Sequence, residues 1–440
     1  MSIRRIGWGV ASQAYSQSVT VLLQLVTTPM LIAVWGPSQF GTWMLVSALP
    51  AYLVLLDLGF SQIAANEMSM KMAHADRDGA KHTFASLVGI YLLAVIPVLV
   101  LCAVLVLVLP FGRLNPDHSA SIESHRLAII LLIAYVAAAI LSSVVAAALR
   151  AEGLFSTMVT LNATSRLLEG FGIVLFARLF QAGIEGAAVA MLAFRLLMTG
   201  GMIVILHAKS TTLRLRISGA EYGEARRLLW PSLMYLGFPL GNAISLQGVL
   251  IAIGAFLSPE AVTIYATSRT LARLGVSTLG AINHVFLYEY SVAMRLPRVL
   301  LRMGTLHFLT ESVGTLLCSG TLWILGEPIY QYWLGGRVPF VREVFLMVIV
   351  QSALEIVWAA CLTPLVAWNR HAGVAITYCI GASVAILAIV VILATGGTLE
   401  RSASVLAVLF GVLSIDAILR LRRILHSALL PLSAIGTGQP

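Results

Sequence analysis

Apolar residues run in long, nearly unbroken stretches along this chain, separated by short polar segments. Most stretches are about 20 residues or longer, the length that an α-helix needs to cross the ~30 Å hydrocarbon core of a bilayer. A β-barrel would show shorter segments of alternating polarity. The pattern predicts an all-α polytopic membrane protein. Twelve transmembrane helices are predicted near residues 10–34, 41–65, 84–110, 127–149, 156–177, 184–207, 230–257, 261–287, 304–326, 341–366, 372–395 and 402–419.

The composition supports this class. Hydrophobic residues make up 59% of the 440 residues and charged residues only 11%, whereas a soluble domain has about 25% charged residues. We expect the net charge of +9 to favour contact with anionic membrane lipids. We predict no nucleic-acid partner. The cysteines and histidines show no metal-ligand spacing, so no metal site is predicted.

Positive residues mark one side of the predicted membrane. With the N-terminus in the cytoplasm, the inner segments hold 18 of the 28 Lys and Arg residues and the outer segments hold 6. Lys and Arg concentrate on the cytoplasmic side of membrane proteins, so both termini are predicted to be cytoplasmic. The remaining four lie inside predicted spans: Arg166, Arg195, Arg269 and Arg273.

A weak internal repeat divides the chain near its middle. Shifting the sequence by 222 residues places PSQFGTW (37–43) on PEAVTIY (259–265), at the turn before the second span of each half. Six spans per half indicate a parallel repeat, with the site expected between the halves. The predicted domains are two six-helix bundles, 1–207 and 230–423, a basic cytoplasmic linker, 208–229, and a cytoplasmic tail, 424–440.

The arginines within the spans are the main functional candidates. An arginine near mid-bilayer costs about 2.5–3.5 kcal/mol on insertion scales, so Arg269 and Arg273 are expected to face a wet cavity or other helices. We predict that they bind an anionic substrate, because guanidinium groups match phosphate oxygens. The alternative is pairing with carbonyl groups or a buried acid. Arg195 either lines the cavity or pairs with Glu169, and Arg166 is predicted to pair with Glu169, three residues away.

Acidic and amide side chains within spans complete the candidate list. Asp57, Glu311 and Glu355 are candidates for coupling transport to an H⁺ or Na⁺ gradient, although Asp57 could instead pair at a helix contact. Gln24 in the first span and Asn242 in the seventh are predicted to line the cavity and bind substrate, with interhelical hydrogen bonding as the alternative. Polar neighbours share this interpretation: Gln13, Gln17, Thr28, Ser245 and Gln247.

Three segments resemble the bacterial polysaccharide flippases of the multidrug/oligosaccharidyl-lipid/polysaccharide exporter superfamily. They are TPMLIAVWGPSQFGTWML, then LLDLGF followed by Asn66-Glu67, and PEAVTIYATSRTLARL. The resemblance implies two six-helix bundles forming a V around a central cationic cavity. It also implies alternating-access flipping of an undecaprenyl-diphosphate-linked oligosaccharide, such as an O-antigen unit for lipopolysaccharide, across the bacterial inner membrane. A polysaccharide polymerase and a chain-length regulator are implied partners.

Other functions fit the sequence less well. A multidrug exporter of the same superfamily often uses an acid in the first span, but residues 6–34 contain none. A membrane glycosyltransferase or polymerase needs a larger outer loop with ionisable residues. No nucleotide-binding loop is present, so we expect neither catalytic residues nor an enzyme cofactor. A scaffold that docks assembly proteins would leave the membrane arginines with a packing role only.

Overall fold

The computed structural model describes residues 3–108, 125–293, 297–368 and 370–433, and within these ranges the chain forms helices and no strand. The helices of the first part are α1 (Ile3–Val46), α2 (Ala48–Leu53), α3 (Phe60–Ala73), α4 (Arg77–Ile90), α5 (Ile96–Val108), α6 (Arg126–Ala151), α7 (Phe155–Leu179), α8 (Ile184–Lys209), α9 (Tyr222–Tyr235) and α10 (Gly237–Ala243). Those of the second part are α11 (Val249–Phe256), α12 (Pro259–Ala293), α13 (Pro297–Leu334), α14 (Arg342–Ala367), α15 (Ala372–Ala394) and α16 (Leu399–Ser433).

In the described residues, nine helical stretches are long and apolar enough to cross a membrane, which confirms a multi-pass, all-helical chain. Helices α7 and α12 coincide with predicted spans and are long enough, but they are too polar to be counted among the nine. The same two helices carry Arg166, Glu169, Arg269 and Arg273. The predicted total of twelve spans stays a prediction.

The second predicted span, 41–65, is not one continuous helix. It contains α2, a 3₁₀ turn over Val54–Asp57, and the start of α3. Leu58 and Gly59 between them have φ angles of 48° and 79°, in the left-handed region that ends a right-handed helix. The chain also bends at Gly36, whose φ is 75°, where the sequence predicts the first outer turn.

The chain divides into two compact units, Met1–Ala243 and Ile244–Pro440. This division falls inside the seventh predicted span, and the domain boundaries proposed from the sequence stay predictions. In the first unit, α3, α4 and α6 share a buried apolar core that includes Met68, Phe84 and Leu149.

In the second unit, α14 packs against both α12 and α16. Trp358 of α14 forms an aromatic cluster with Tyr378 of α15 and Phe410 of α16, at ring-centroid distances of 4.8 Å and 5.8 Å. Such aromatic contacts add about 0.5–1.5 kcal/mol each beyond the apolar burial. They hold α14 against α15 and α16.

Candidate functional site: arginines within the helical units

Arg269 and Arg273 of α12 are both held by other groups of the second unit. The Arg269 Nη1 donates to the Leu246 carbonyl at 2.5 Å, and its guanidinium lies 5.6 Å from the Tyr265 ring centroid. Leu246 lies in a π-helical turn, Ile244–Gly248, a feature frequent at functional sites. Arg269 is only 8% exposed, so its charge is enclosed, and the carbonyl and the ring that contact it are both neutral.

Arg273 lies one turn further along α12 and forms an ion pair with Glu355 of α14 through Nη1 and Oε2. Both side chains are largely buried. Removing one member of a buried pair leaves an uncompensated charge at a cost of about 3–5 kcal/mol, so the pair links α12 to α14. The contacts of Arg269 and Arg273 therefore correspond to the alternative arrangement, a carbonyl group for one and a buried acid for the other.

Arg195 is the centre of a charged network in the first unit. Its Nε lies 2.9 Å from Glu169 Oε1, and its Nη2 donates to Glu169 Oε2 at 2.9 Å and to the Tyr135 hydroxyl at 3.0 Å. The Ser165 hydroxyl donates to Glu169 Oε1 at 2.7 Å. Of the two arrangements predicted for Arg195, pairing with Glu169 is the one present.

Arg166 differs from these three arginines. The predicted pair with Glu169 is not formed, since Glu169 is engaged by Arg195 from another helix. Arg166 instead donates to the Ser16 hydroxyl at 2.7 Å and the Thr20 hydroxyl at 3.3 Å, both on α1. Its side chain is exposed, and in the described residues no carboxylate lies within ion-pair distance of it.

The three candidate coupling acids have different surroundings. Asp57 accepts hydrogen bonds from the Ser61 hydroxyl at 2.6 Å and from its backbone N–H, and Glu355 is bound by Arg273. Glu311 is 3% exposed, and neither carboxylate oxygen has a hydrogen-bond partner in the described part of the chain.

His307 lies near Glu311, with its Nε2 3.8 Å from Glu311 Oε1. The His307 ring is itself hydrogen bonded to Asn283 Oδ1 at 2.9 Å and to the Tyr290 hydroxyl at 3.1 Å. Thr363 also donates to Asn283 Oδ1, at 2.8 Å. The roles predicted for Asp57, Glu311 and Glu355 in ion coupling stay predictions.

The predicted cavity amides occupy less enclosed positions. Gln24 is half-buried, and its Oε1 has no hydrogen-bond partner among the described residues. Asn242, near the end of α10, is exposed. The substrate-binding role assigned to Arg269, Arg273, Arg195, Gln24 and Asn242 stays a prediction.

A polar cavity of about 280 Å³ lies within the first unit. Its polar lining includes Asp57, Ser61, Gln62, Arg150 and Asn162. Arg150 lies in a short segment between two predicted spans, so the hydropathy pattern does not single it out as a candidate. The sequence does contain one signal for polar residues near this cavity: Asn162 and Arg166 are four residues apart, on one face of α7.

No protein-family profile matches this sequence, and no curated protein matches it either. Solved structures do match. An inward-facing multidrug resistance MATE family transporter of the MOP superfamily superposes with a TM-score of 0.77 and 12% identity, covering 93% of this chain and 95% of the other. The lipid II flippase MurJ, in an inward closed conformation, superposes with a TM-score of 0.73 and 10% identity, covering 98% and 93%.

The chain shares its fold with these solved structures. An outward-facing MATE family transporter matches as well, with a TM-score of 0.67, 14% identity and 96% of each chain covered. The expected likeness in fold is thus found, to multidrug resistance MATE family transporters and to the lipid II flippase MurJ. At these identities the likeness concerns the fold alone.

Proposed function

We propose that this protein is a transporter that flips an undecaprenyl-diphosphate-linked oligosaccharide, such as an O-antigen unit, across the bacterial inner membrane by alternating access. The superfamily fold, shared with the flippase MurJ, is compatible with this function. The observation that carries the proposal is the positive charge left within the helices. Arg195 and Arg273 are neutralised by carboxylates, whereas Arg166 and Arg269 have neutral hydrogen-bond partners.

A positively charged interior favours an anionic cargo and disfavours a cationic drug. A lipid diphosphate carries negative charges that an apolar cavity would exclude, and guanidinium groups bind phosphate oxygens with charge-assisted hydrogen bonds. Helix α1 supplies amide and hydroxyl groups but no acid. In this proposal the arginines bind the diphosphate, and Gln24 and Asn242 donate hydrogen bonds to the oligosaccharide.

Coupling to an H⁺ or Na⁺ gradient would act through the acids. Glu355 has the most direct link to the cargo, because its carboxylate holds the Arg273 guanidinium. A proton on Glu355 would weaken this ion pair and release Arg273 toward the diphosphate. Asp57 and Glu311 are the other candidates. A polysaccharide polymerase and a chain-length regulator are the proposed protein partners.

A cation-coupled multidrug exporter is the second candidate, since the MATE transporter superposes as well as MurJ does. Transport assays in proteoliposomes that contain the purified protein distinguish the two functions. A fluorescent undecaprenyl-diphosphate oligosaccharide reports flipping, and ethidium reports export of a cationic drug. We expect flipping without ethidium transport. Ethidium transport without flipping would overturn the proposal.

Substitutions test the charge argument in the same vesicles. Arg269→Ala and Arg273→Ala should each reduce flipping at least tenfold when equal amounts of folded protein are reconstituted, because each removes positive charge from the helices. Arg269→Lys should retain part of the activity. Full flipping by both alanine variants would contradict the assigned role of these arginines.

A further inference from the structure

A polar stripe runs along the contact between α1 and α7, with Tyr15 and Arg166 exposed and its other members half-buried. It consists of Tyr15, Ser16, Thr20, Thr164 and Arg166, and we call it the α1–α7 stripe. Two hydrogen bonds from Arg166 join it to α1, and the Tyr15 and Thr164 hydroxyls share a third, of 3.2 Å. The two helices pack closely along their length, so the stripe is a fixed surface.

The stripe lies near the middle of its helix. Arg166 follows Phe155, the first residue of α7, by eleven positions, which at 1.5 Å per residue is a depth of about 16 Å. That is close to the midplane of a ~30 Å hydrocarbon core. An exposed arginine at this depth is strongly disfavoured against lipid. The stripe therefore faces a water-filled space or a bound ligand.

The guanidinium of Arg166 has binding capacity left. Arginine carries five N–H donors, and Ser16 and Thr20 take two of them. Three N–H groups thus have no acceptor in the described residues. Arg195 and Arg273 differ, because a carboxylate already occupies each of them. Arg269 is 8% exposed and closed over by Tyr265.

The stripe lies one helical turn along α7 from a residue of the polar cavity of the first unit. Asn162 precedes Arg166 by one helical turn on α7 and lines that cavity of about 280 Å³. Arg150 lines it as a second positive residue, and the Asp57 carboxylate in its wall already accepts hydrogen bonds from Ser61. Arg150 and Asn162 in the cavity, and Arg166 one turn beyond Asn162, thus offer several donors to an anion.

We propose that Arg166, oriented by Ser16 and Thr20, is the anion-binding residue of the first unit and holds the diphosphate ester of the cargo. The identity of that cargo as a lipid-linked diphosphate rests on the proposed function. Ser16 and Thr20 act as positioning residues, since they accept two N–H groups and leave the other three without an acceptor in the described residues. Arg269 and Arg273 then bind the anion only after their present partners release them.

The binding test uses the full-length protein in nanodiscs with undecaprenyl diphosphate as the probe, measured by microscale thermophoresis. Arg166→Gln should weaken binding about tenfold to a hundredfold, the loss expected for charge-assisted hydrogen bonds. Arg166→Lys should recover part of it, and Ser16→Ala with Thr20→Ala should weaken it a fewfold. Arg178→Gln, an exposed arginine near the other end of α7, is the matched control and should change binding less than twofold.

The outcomes separate the site from the transport function. Unchanged binding by both Arg166→Gln and Arg166→Lys would overturn the site. A loss confined to Arg166→Gln, with no flipping by the wild-type protein, would retain the site and overturn the function. Inorganic pyrophosphate is the second probe: binding as tight as that of the lipid would overturn the lipid-linked source.

Discussion

Buried charges in the first unit are held by partners on other helices. Glu169 accepts hydrogen bonds from Arg195, Tyr135 and Ser165, and it is 5% exposed. Arg195 at 9% exposure has no other carboxylate among its contacts in the described residues. The pair therefore functions as a structural connection between α7 and α8.

Glu169→Gln should destabilise the protein by about 3–5 kcal/mol, because it leaves the Arg195 charge buried without its counter-charge. Thermal unfolding of the detergent-solubilised protein measures the loss. Glu67→Gln is the control: its partner Arg227 is 59% exposed, and such pairs contribute less than about 1 kcal/mol. Equal effects of the two substitutions would contradict a buried, stability-determining pair. Arg195→Met combined with Glu169→Leu should recover most of the stability.

The sequence predicts which charged residues lie in spans but not how they pair. Arg166 and Glu169 are three positions apart, and helical spacing favours their contact. The residue that Glu169 binds lies 26 positions away, on the next helix. The spacing rule applies to one helix, whereas a buried carboxylate takes the donors that best replace its lost hydration. Arg166 is left without a carboxylate because Glu169 pairs with Arg195 on another helix, and the spacing of residues along the sequence could not reveal this pair.

At the scale of elements, the break between α2 and α3 depends on one glycine. Gly59 has a φ of 79°, and a Cβ atom there would lie 2.9 Å from Tyr235 Cδ1 and 3.2 Å from the Ser232 carbonyl oxygen. Tyr235 and Ser232 belong to α9, so the glycine sets how closely α9 approaches the break. The hydropathy of residues 41–65 predicts one continuous span, because hydropathy carries no information on the left-handed backbone conformation of Gly59.

Gly59→Ala should lower the free energy of unfolding by about 1–3 kcal/mol, from the left-handed backbone and the close contact with α9. The shift of the thermal unfolding midpoint measures it. Gly223→Ala is the control, because no atom would lie within 4 Å of its Cβ and it is inside a helix. There alanine should be neutral or stabilising by up to about 1 kcal/mol. A Gly59→Ala variant as stable as Gly223→Ala would rule out the proposed constraint.

Helix α9 is also tied to α3 and α4 by a charged network. Glu224 Oε2 accepts from Lys71 Nζ at 2.9 Å and from the Thr83 hydroxyl at 3.1 Å, and Arg227 lies 3.7 Å from the other oxygen. Partial burial raises the pKa of Glu224, but the hydrogen bonds and the charges of Lys71 and Arg227 lower it by more. The pKa therefore lies below its ordinary value of 4.5.

This lowered pKa predicts a pH-dependent attachment of α9. The stabilisation is complete above pH about 4.5, the unfolded value, and is lost as the pH falls through the lower folded pKa. Unfolding midpoints of wild type and Glu224→Gln should differ at pH 7, and the difference should shrink as the pH falls below 4.5. Glu327→Gln, at an exposed position without an ion-pair partner in the described residues, should run parallel to wild type. A Glu224→Gln difference that does not shrink as the pH falls below 4.5 would contradict this assignment.

At the scale of the whole molecule, the sequence predicts the class of fold better than the site. Continuous apolar runs determine helices of membrane-spanning length, and most predicted spans coincide with helices of the structure. Helices α7 and α12 are less apolar because they carry the candidate charged residues. Which side of the membrane each loop faces still rests on the distribution of Lys and Arg.

Cysteine labelling tests that orientation. In a variant whose four native cysteines are replaced, Gln181→Cys and Arg337→Cys should react with a membrane-impermeant maleimide in intact cells, whereas Ser218→Cys should react only in inverted vesicles. All three positions are exposed, so accessibility alone does not separate them. The opposite labelling would show that the predicted orientation is inverted. Arg150 would then lie on the outer side, and a cargo made in the cytoplasm would reach Arg166 from the end of α7 that is further from Arg150.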